Sequence, residues 1–199
     1  ATMSAPVRRS GVLRYVPNAL SGVRIAAVPL LAVLAFTGHE TAFTWVLIPA
    51  LLTDIADGLV ARLFSLESRL GAVLDSVADS MLLFVCVYGI WVFHPEVIRE
   101  HPMLCGLAVG LWALENVIAL VRYRRLSSFH TYLSKIVANV LGLFIGVLFL
   151  VGFQPWLFYL AATSSIVASL EELALLGVLR EWRTDVRGLW WVLRERPPR

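Results

Sequence analysis

Six apolar stretches follow one another along the chain, and short polar segments separate them. Each stretch is close to the ~20 residues that a helix needs to cross a bilayer. Polar residues are scattered inside the stretches, which is typical of helices that pack into a bundle rather than of a lone anchor. The stretches cover residues 19–36, 43–61, 70–93, 103–121, 132–153 and 155–179. The pattern therefore predicts an all-α integral membrane protein built as a six-transmembrane-helix bundle.

The segments on either side of these stretches have a different pattern. Residues 7–16 and 180–194 mix arginines with Trp, Tyr, Leu and Val, as helices that lie in the membrane interface do. Trp190 and Trp191 are expected at the level of the lipid headgroups. A disordered basic tail is the alternative for the C-terminal segment, because the Thr and Gly within it are poor helix formers. The predicted parts are an N-terminal interfacial segment at 3–17, a membrane domain at 18–179 and a basic C-terminal interfacial segment at 180–199.

The composition agrees with a membrane protein. Of the 199 residues, 59% are apolar and 16% are charged, and the mean hydropathy is +0.78. An average soluble domain carries about 25% charged residues. The formal net charge of +3 comes from basic residues that flank the spans and would face anionic headgroups. We therefore expect the lipid bilayer, and no nucleic acid, as a partner.

The distribution of basic residues predicts the orientation of the bundle. With both termini in the cytoplasm, most of the 17 Lys and Arg residues lie on the cytoplasmic side. The connections on the opposite side then hold one Lys or Arg, which is Arg99. The positive-inside rule favours this arrangement. We therefore expect a multi-pass protein of the cytoplasmic (inner) membrane, with both termini and the active site facing the cytoplasm.

Four aspartates lie in the second and third apolar stretches, where ionised carboxylates are costly. Asp54 and Asp57 are three residues apart, and Asp75 and Asp79 are four apart, so each pair occupies one face of a helix. Asp54 lies roughly 12 Å along its helix from Arg62, and Asp79 lies about 15 Å along its helix from Arg69, so all four carboxylates reach a similar depth below the predicted cytoplasmic surface. The two helices are joined by a short turn, so the four carboxylates are expected to converge.

Four like charges in one cavity repel each other unless something positive sits among them. Hard divalent cations prefer carboxylate oxygens, so the set predicts one or two Mg²⁺, Mn²⁺ or Ca²⁺ ions. The alternative is pairing of the carboxylates with arginines, for which Arg24, Arg62 and Arg122 are available. A proton or cation pathway is a further alternative, because intramembrane aspartates also mark transport routes.

Small residues flank the acidic positions. Gly58 and Ala61 follow the first pair, and Gly71 precedes the second. Positions with little or no side chain let a large ligand approach the backbone, although close packing of membrane helices is an alternative reason for them. Arg62 adds a planar donor fork that suits phosphate oxygens. Together these residues predict a nucleotide or diphosphate beside the metal ions.

These residues resemble the signature of the CDP-alcohol phosphotransferase family, which consists of integral membrane enzymes that make phospholipid headgroups. The string is Asp54-x-x-Asp57-Gly58-x-x-Ala61-Arg62, eight residues, and then Gly71-x-x-x-Asp75-x-x-x-Asp79. A second string at the start of the first stretch resembles the family's N-terminal pattern, namely Pro17-Asn18-x-x-Ser21-x-x-Arg24. The likeness covers roughly the first 95 residues and the six-span plan.

The resemblance implies that a CDP-linked donor, usually CDP-diacylglycerol, transfers its phosphatidyl group to an alcohol while CMP leaves. It implies that Asp54, Asp57 and Asp75 bind divalent metal, as two Mg²⁺ or Mn²⁺ ions, and that Asp79 is the base and also contacts metal. It further implies a homodimer and a group of contacts to the CDP moiety. Those contacts are Asp57, Gly58, Ala61, Arg62, Gly71 and Asp75.

The identity of the acceptor alcohol is left open by the sequence. Arg122, Arg125 and Lys135, in or beside the connection between the fourth and fifth stretches, could bind an acceptor that carries a phosphate, such as glycerol 3-phosphate or an inositol phosphate. The alternative is that cytoplasmic loops are basic in general and that Lys at a helix end snorkels. His130 and Thr131 could add hydrogen bonds to an acceptor hydroxyl.

Other polar residues bear on the same question. Glu115 and Asn116 lie inside the fourth stretch, where they either contact the acceptor or hold helices together by hydrogen bonds. Ser76 and Ser80 stand where many glycerophosphate-type members of the family have Pro and Lys. The acceptor class therefore stays undecided at this level.

Two other functions compete with phosphatidyl transfer. An intramembrane prenyltransferase also uses aspartates and Mg²⁺ on diphosphates, but it is not expected to carry the Gly58, Ala61, Arg62 and Gly71 framework. A divalent-cation transporter would also place acidic residues inside the membrane.

Overall fold

The computed structural model describes the backbone of residues 16–64, 69–123, 131–178, 186 and 188–195. Side chains are described for residues 22–53, 77–123, 131–178, 186, 188–192 and 194. Within these ranges every regular element is a helix. The helices are α1 (Val16–Phe36), α2 (Glu40–Phe64), α3 (Arg69–Phe93), α4 (Pro95–Glu100), α5 (Pro102–Tyr123), α6 (Tyr132–Val151), α7 (Pro155–Val178) and α8 (Leu189–Glu195).

Each predicted apolar stretch corresponds to one long helix, and the ends differ by less than one turn. The six helices are α1, α2, α3, α5, α6 and α7. Among the described residues, α5, α6 and α7 are long and apolar enough to cross a membrane. Three shorter apolar segments are Gly22–Phe36, Glu40–Thr53 and Val77–Phe93. The all-helical class is thus confirmed for the described residues, and three of the helices suit a membrane protein by length and composition. Six complete spans stay a prediction.

The chain divides into two compact units, Ala1–Gly89 and Ile90–Arg199. In the first unit, α1 packs against α2. The buried side chains recur every three or four residues, so each helix contributes one apolar stripe to the core. These buried residues are Val28, Leu31 and Ala35 on α1, Phe43, Leu47 and Ala50 on α2, and Ala78, Leu82, Val85 and Cys86 on α3.

A tight turn joins α1 to α2. Gly38 has a positive φ of 74°, which favours a residue without a Cβ atom. The backbone N–H of His39 donates to the carbonyl of Leu34 at 2.9 Å, so a carbonyl in the last turn of α1 gains a partner. The turn reverses the chain so that α2 can run back along α1.

In the second unit, α7 packs against both α5 and α6. Its buried positions include Leu157, Phe158, Ala161 and Leu175. Thr131 caps the start of α6, because its hydroxyl oxygen accepts a hydrogen bond from the backbone N–H of Ser134 at 3.1 Å. The second unit is therefore organised around α7.

The C-terminal segment forms a short helix, α8, that packs on α7. Val192 is buried in a cluster with Ala119, Leu175, Leu176 and Val186. Trp190 and Trp191 are exposed, and the guanidinium carbon of Arg194 lies 4.5 Å from the centre of the Trp190 ring. Residues 189–195 are thus helical, and the location of this segment in the membrane interface stays a prediction. Most of the predicted N-terminal segment, 3–17, lies outside the described residues.

The helix α4 was not predicted from the sequence. It lies in the connection at 94–102 and begins at Pro95, a residue that suits the first helical position because its missing N–H would have no partner there. Val97 is its buried residue. The six-residue length is too short for a clear helical pattern in the sequence.

Replacing Gly89 by Ala is expected to destabilise the first unit. A Cβ atom at Gly89 would lie 2.5 Å from Cζ and 2.9 Å from Cε1 of Phe43. Because the Phe43 side chain is fully buried, its ring must displace other core side chains to make room. Such overpacking costs about 1–3 kcal/mol. We expect Gly89→Ala to lower the Tm of the purified protein in detergent, followed by circular dichroism.

The matched control is Gly142→Ala on α6. No heavy atom lies within 4 Å of a Cβ atom built at Gly142, and Ala is favoured over Gly inside a helix by about 0.5–1 kcal/mol. The Tm of this variant should be unchanged or higher. An equal loss of Tm in both variants would contradict the contact between Phe43 and Gly89.

Candidate functional site

The four aspartates lie on two neighbouring helices of the first unit. Asp54 and Asp57 are part of α2, and Asp75 and Asp79 are part of α3. Because both segments are helical, spacings of three and four residues put each pair on one face. Among the four side chains, that of Asp79 is described, and the carboxylates of the other three lie outside the described side chains.

The contact between Phe43 and Gly89 defines how α2 and α3 are aligned. Phe43 lies in the first turn of α2, and Gly89 lies in the last turns of α3. The four residues 65–68 separate the end of α2 from the start of α3. The start of one helix therefore meets the end of the other, as in antiparallel neighbours.

This alignment gives the levels of the aspartates along the helices. At 1.5 Å per residue, Asp54 lies roughly 16 Å along α2 from the contact, and Asp79 lies roughly 15 Å along α3. By the same count, Asp57 and Asp75 each lie roughly 21 Å from it. The backbone positions thus form two levels, each with one aspartate from either helix. This arrangement is the one that convergence of the four carboxylates requires.

Asp79 is held by an arginine from α1. The Nη1 atom of Arg24 donates to Oδ1 of Asp79, and the two groups form an ion pair. The side chain of Arg24 is 0% exposed, whereas that of Asp79 is 47% exposed. The pairing of a carboxylate with Arg24, which the sequence left open as an alternative, is therefore observed for Asp79.

The burial of Arg24 follows from its position on α1. It lies four residues before Val28, on the same stripe that contributes Leu31 and Ala35 to the core. A guanidinium on that stripe is removed from water, and it requires a carboxylate partner at close range. Asp79 is exposed on its other side and supplies that partner. Asp79 thus lies at the boundary between the apolar core and the face of α3 that carries the aspartates.

The predicted contacts to a nucleotide are on the same two helices. Gly58, Ala61 and Arg62 are in α2, and Gly71 is in α3. Their side chains lie outside the described set, and so do those of Pro17, Asn18 and Ser21 in the first turns of α1. The assignment of these residues to a CDP site stays a prediction.

The fit of a metal ion rests on the chemistry of the donors. The described side chains include no group of three or more His, Cys, Asp or Glu that could hold a metal ion, but three of the four aspartates are outside that set. The backbone positions of four aspartates lie at matching levels of α2 and α3, and carboxylates are the oxygen ligands that Mg²⁺ and Mn²⁺ prefer. The residues therefore fit a divalent cation.

The predicted acceptor residues belong to the second unit. The Nη1 atom of Arg122 donates to the carbonyl of Leu176, which lies in the last turn of α7 and has no partner inside that helix. The guanidinium of Arg122 also lies 5.3 Å from the centre of the Tyr123 ring. Lys135 is partly buried in the first turn of α6. Arg125 and His130 lie outside the described residues.

The two polar residues of the fourth stretch lie on α5 in the second unit. Asn116 donates to the carbonyl of Trp112 at 2.9 Å, within its own helix. Glu115 is buried, with 5% of its surface exposed. Its role, as a contact to the acceptor or as a link between helices, stays a prediction.

A network of polar side chains at one end of α6 and α7 was missed by the sequence analysis. Thr131 donates to Oε2 of Glu171 at 3.3 Å, and Ser134 donates to Oε1 of Glu172 at 2.5 Å. The backbone N–H of Leu189, at the start of α8, donates to Oε1 of Glu171 at 3.0 Å. The sequence feature that could have indicated this network is the pair of consecutive glutamates, Glu171 and Glu172, inside the last apolar stretch.

Comparison with known proteins gives the family. A model of the CDP-alcohol phosphatidyltransferase family matches residues 14–167. The chain is 40% identical over 86 residues to CDP-diacylglycerol–inositol 3-phosphatidyltransferase of Saccharomyces cerevisiae. This match covers 40% of the chain and 39% of the yeast protein. The chain is also 30% identical over 116 residues to a putative cardiolipin synthase of Mycobacterium tuberculosis. That match covers 54% of the chain and 56% of the mycobacterial protein.

The name of a third relative gives glycerol 3-phosphate as its acceptor, whereas that of the yeast relative gives inositol. The chain is 36% identical over 76 residues to CDP-diacylglycerol–glycerol-3-phosphate 3-phosphatidyltransferase of Cereibacter sphaeroides, covering 36% of this chain and 34% of that protein. In each of these relatives the matched region is less than two thirds of the protein's length. No solved structure matches the chain. The family model, however, covers well over half of the chain and includes all four aspartates, so the chain belongs to the CDP-alcohol phosphatidyltransferase family.

Proposed function

We propose that the protein is a membrane enzyme of phospholipid biosynthesis that transfers a phosphatidyl group from CDP-diacylglycerol, or a related CDP-alcohol, to the hydroxyl of a small polar acceptor and releases CMP. The observation that carries the proposal is the pair of acidic faces on α2 and α3, inside the region matched by the family model. The family match also argues against a prenyltransferase and against a cation transporter.

The proposed site holds two divalent cations, Mg²⁺ or Mn²⁺. Asp54, Asp57, Asp75 and Asp79 would supply their carboxylate ligands. When bound, such ions neutralise a diphosphate and the charge that develops on the departing nucleotide. The donor set supports this proposal because it consists of carboxylates, which are ligands of hard cations.

The residues around the aspartates are proposed to bind the CDP moiety. Gly58, Ala61 and Gly71 leave room for the nucleotide against the helix backbone. Arg62 offers two parallel N–H donors to a phosphate group. Asp57 and Asp75 lie on the same helices and complete the contacts to CDP. These residues bind and orient the donor, so that the lipid-bearing phosphorus faces the acceptor.

Asp79 is proposed to be the base. It accepts the proton of the acceptor hydroxyl as that hydroxyl attacks the phosphorus, while CMP leaves with the electrons of the broken bond. Arg24 is a positioning residue, because its buried guanidinium is bonded to one carboxylate oxygen of Asp79. A carboxylate held on a rigid helix in this way loses little entropy when the acceptor hydroxyl comes into reach.

The membrane arrangement is part of the proposal. We propose six spans in the cytoplasmic membrane, with both termini and the aspartates toward the cytoplasm. Three long apolar helices, three shorter apolar segments and the bias of Lys and Arg between the two sides support it. In this arrangement CDP is reached from the cytosol, and the acyl chains of the donor remain in the bilayer.

The acceptor is proposed to be a small polyol that carries a phosphate, such as glycerol 3-phosphate or an inositol phosphate. The cationic residues Arg122, Arg125 and Lys135 support a phosphate ligand, and His130 offers a hydrogen bond to a hydroxyl. Two relatives are named as an inositol and a glycerol-3-phosphate phosphatidyltransferase, and these names support a small alcohol of this class.

The proposed reaction predicts CMP release that requires three components. Purified protein should release CMP from CDP-diacylglycerol when Mg²⁺ or Mn²⁺ and a suitable acceptor are both present, and EDTA should abolish the release. A panel of labelled glycerol 3-phosphate, inositol phosphate, inositol and serine, with products separated by chromatography, identifies the acceptor. Flux of divalent ions into liposomes without any turnover of the CDP-lipid would instead indicate a transporter.

Asp79→Asn is expected to lower kcat by about 10²–10⁴-fold, because the variant lacks the carboxylate that accepts the proton. Glu100→Gln, an exposed carboxylate-to-amide change on α4, is the matched control and should retain wild-type turnover. Wild-type CMP release by Asp79→Asn with the preferred acceptor would show that the assigned base is wrong.

The ion pair between Arg24 and Asp79 predicts different effects on stability and on activity. Asp79→Asn removes the carboxylate that is bonded to the buried guanidinium of Arg24. Removing one member of a fully buried pair costs about 3–5 kcal/mol, and we expect a smaller loss here because the side chain of Asp79 is 47% exposed. Combining Asp79→Asn with Arg24→Leu removes both charges, so the Tm should recover much of the loss, whereas CMP release should stay at the level of the single variant.

A separate variant isolates the positioning role of Arg24. Arg24→Lys keeps the charge but loses the planar donor fork. We expect kcat to fall by about tenfold while KM for the CDP-lipid changes little, because the donor is bound by other residues. Arg99→Lys, on the exposed surface of α4, is the control. Equal kinetic constants for Arg24→Lys and the wild type would remove the positioning role.

A further inference from the structure

The helix ends on either side of residues 124–130 are both bonded to α7. On the α5 side, Nη1 of Arg122 donates to the backbone carbonyl of Leu176. On the α6 side, the hydroxyl of Thr131 donates to Oε2 of Glu171 at 3.3 Å. Glu171 precedes Leu176 by five residues, so the two attachment points lie roughly 7.5 Å apart along the axis of α7. The separation of the two helix ends is therefore fixed by α7.

The attachment on the α6 side is buried. Thr131 is 0% exposed, and its hydroxyl oxygen also accepts the backbone N–H of Ser134 at 3.1 Å and lies 2.8 Å from the hydroxyl oxygen of Ser134. A capping hydroxyl that is removed from water depends on protein groups for all its hydrogen bonds. Glu171 supplies the carboxylate among them, and it thereby helps to orient the residue at which α6 begins.

The same glutamate is bonded to α8. The backbone N–H of Leu189, the first residue of α8, donates to Oε1 of Glu171 at 3.0 Å. An N–H group in the first turn of a helix has no partner inside that helix, so the carboxylate satisfies it. The two oxygens of one side chain thus have different partners, and Glu171 links the start of α6 to the start of α8.

Gly188 leaves room for the carboxylate of Glu171. A Cβ atom at this buried position would lie 2.9 Å from Oε1 of Glu171 and 3.3 Å from two ring atoms of Trp191. The φ angle of Gly188 is 151°, which also favours a residue without a Cβ atom. The close approach of Glu171 to α8 therefore rests on the backbone of Gly188 as well as on the hydrogen bond.

Apolar contacts hold α8 against the ends of the long helices. One buried cluster joins α5, α7 and α8, and it consists of Ala119, Leu175, Leu176, Val186 and Val192. Tyr123, the last residue of α5, packs against this cluster. The ring of Tyr132, the first residue of α6, has its centre 6.3 Å from that of Trp191 on α8. Contacts of α8 thus reach both sides of residues 124–130.

We propose that Glu171 is a positioning residue for the acceptor alcohol and that α8 holds its carboxylate in place. The role rests on the proposed function, in which basic residues in and beside the connection 124–130 bind the acceptor. Glu171 does not itself contact the acceptor. It fixes Thr131 at one end of the connection, so the acceptor site is already formed before the acceptor binds and less entropy is lost on binding.

CMP release, with the acceptor and the CDP-lipid varied separately, tests this role. The acceptor is the one that the panel of glycerol 3-phosphate, inositol phosphate, inositol and serine identifies. Glu171→Ala should raise the acceptor KM by about fivefold or more, while kcat and the KM for CDP-diacylglycerol stay within about twofold. A purely structural residue would lower the fraction of active protein and leave both KM values unchanged. Glu100→Ala, an exposed glutamate of α4, is the control.

Gly188→Ala tests the link to α8 without a change in α6 or α7. The added Cβ atom displaces the carboxylate of Glu171, so the acceptor KM should rise by about threefold or more. Adding Gly188→Ala to Glu171→Ala should raise it no further, because the carboxylate is already absent. Gly177→Ala on α7 is the control, since no heavy atom lies within 4 Å of a Cβ atom at that position.

A conservative variant separates the hydrogen bonds of Glu171 from its charge. Glu171→Gln keeps an oxygen for the N–H of Leu189 and an amide that can donate to the oxygen of Thr131, so its acceptor KM should stay within about twofold of the wild type. A rise as large as that of Glu171→Ala would assign a direct electrostatic role to the carboxylate and overturn the positioning role. If Glu171→Ala fails to fold, Gly188→Ala and its control decide the question.

Two further outcomes would overturn the positioning role. One is a wild-type acceptor KM in both Glu171→Ala and Gly188→Ala while CMP release proceeds normally. The other is an equal rise in the KM for CDP-diacylglycerol, which would indicate a general loss of structure. Absence of CMP release by the wild type with every acceptor of the panel would instead overturn the proposed function, on which this role rests.

Discussion

The ion pair between Arg24 and Asp79 is the interaction on which the first unit depends. A fully buried guanidinium on the apolar stripe of α1 requires a carboxylate, and α3 provides one. The pair joins two helices that are separated by the whole of α2 in the sequence. It also places the first charged residue of the acidic face directly beside the core. The position of Asp79 is therefore determined by packing and electrostatics together.

The contact between Phe43 and Gly89 complements this ion pair. One contact aligns α2 with α3 near one end, and the other attaches α1 to α3 about ten residues away along that helix. With both in place, a simple count of residues brings the four aspartates to two matching levels. The acidic faces are thus a consequence of helix alignment, and a shift of one turn in either helix would separate the carboxylates by roughly 5 Å.

The second unit uses polar contacts in a different way. Arg122 satisfies a terminal carbonyl of α7, Thr131 caps α6, and Glu171 accepts the N–H of Leu189 at the start of α8. These bonds occupy helix ends, where backbone groups lack partners inside the helix. Deeper in the same unit, the side chains of Glu115 and Glu172 are buried inside long apolar helices.

The lengths of the apolar stretches were sufficient to predict the long helices, since each stretch corresponds to one of them. The spacing of Asp54, Asp57, Asp75 and Asp79 was sufficient to predict the family, and the family match confirms it. Contacts between helices that are far apart in the sequence were harder to predict. The sequence pattern indicates which face of a helix is buried, but it does not indicate which helix packs against that face. Arg24 was therefore one of three candidate partners, and the bond between Arg122 and Leu176 was not foreseen. The hydrogen bonds from Thr131 to Glu171 and from Ser134 to Glu172 were missed for the same reason.

The central claim is that α2 and α3 align their aspartates to bind metal ions beside Asp79. Anomalous diffraction from crystals grown with Mn²⁺ and CMP tests it most directly. The account predicts Mn²⁺ between α2 and α3, with carboxylate oxygens of the four aspartates at roughly 2.0–2.2 Å. Mn²⁺ bound elsewhere on the protein, with none between these two helices and CMP absent from their acidic faces, would contradict it.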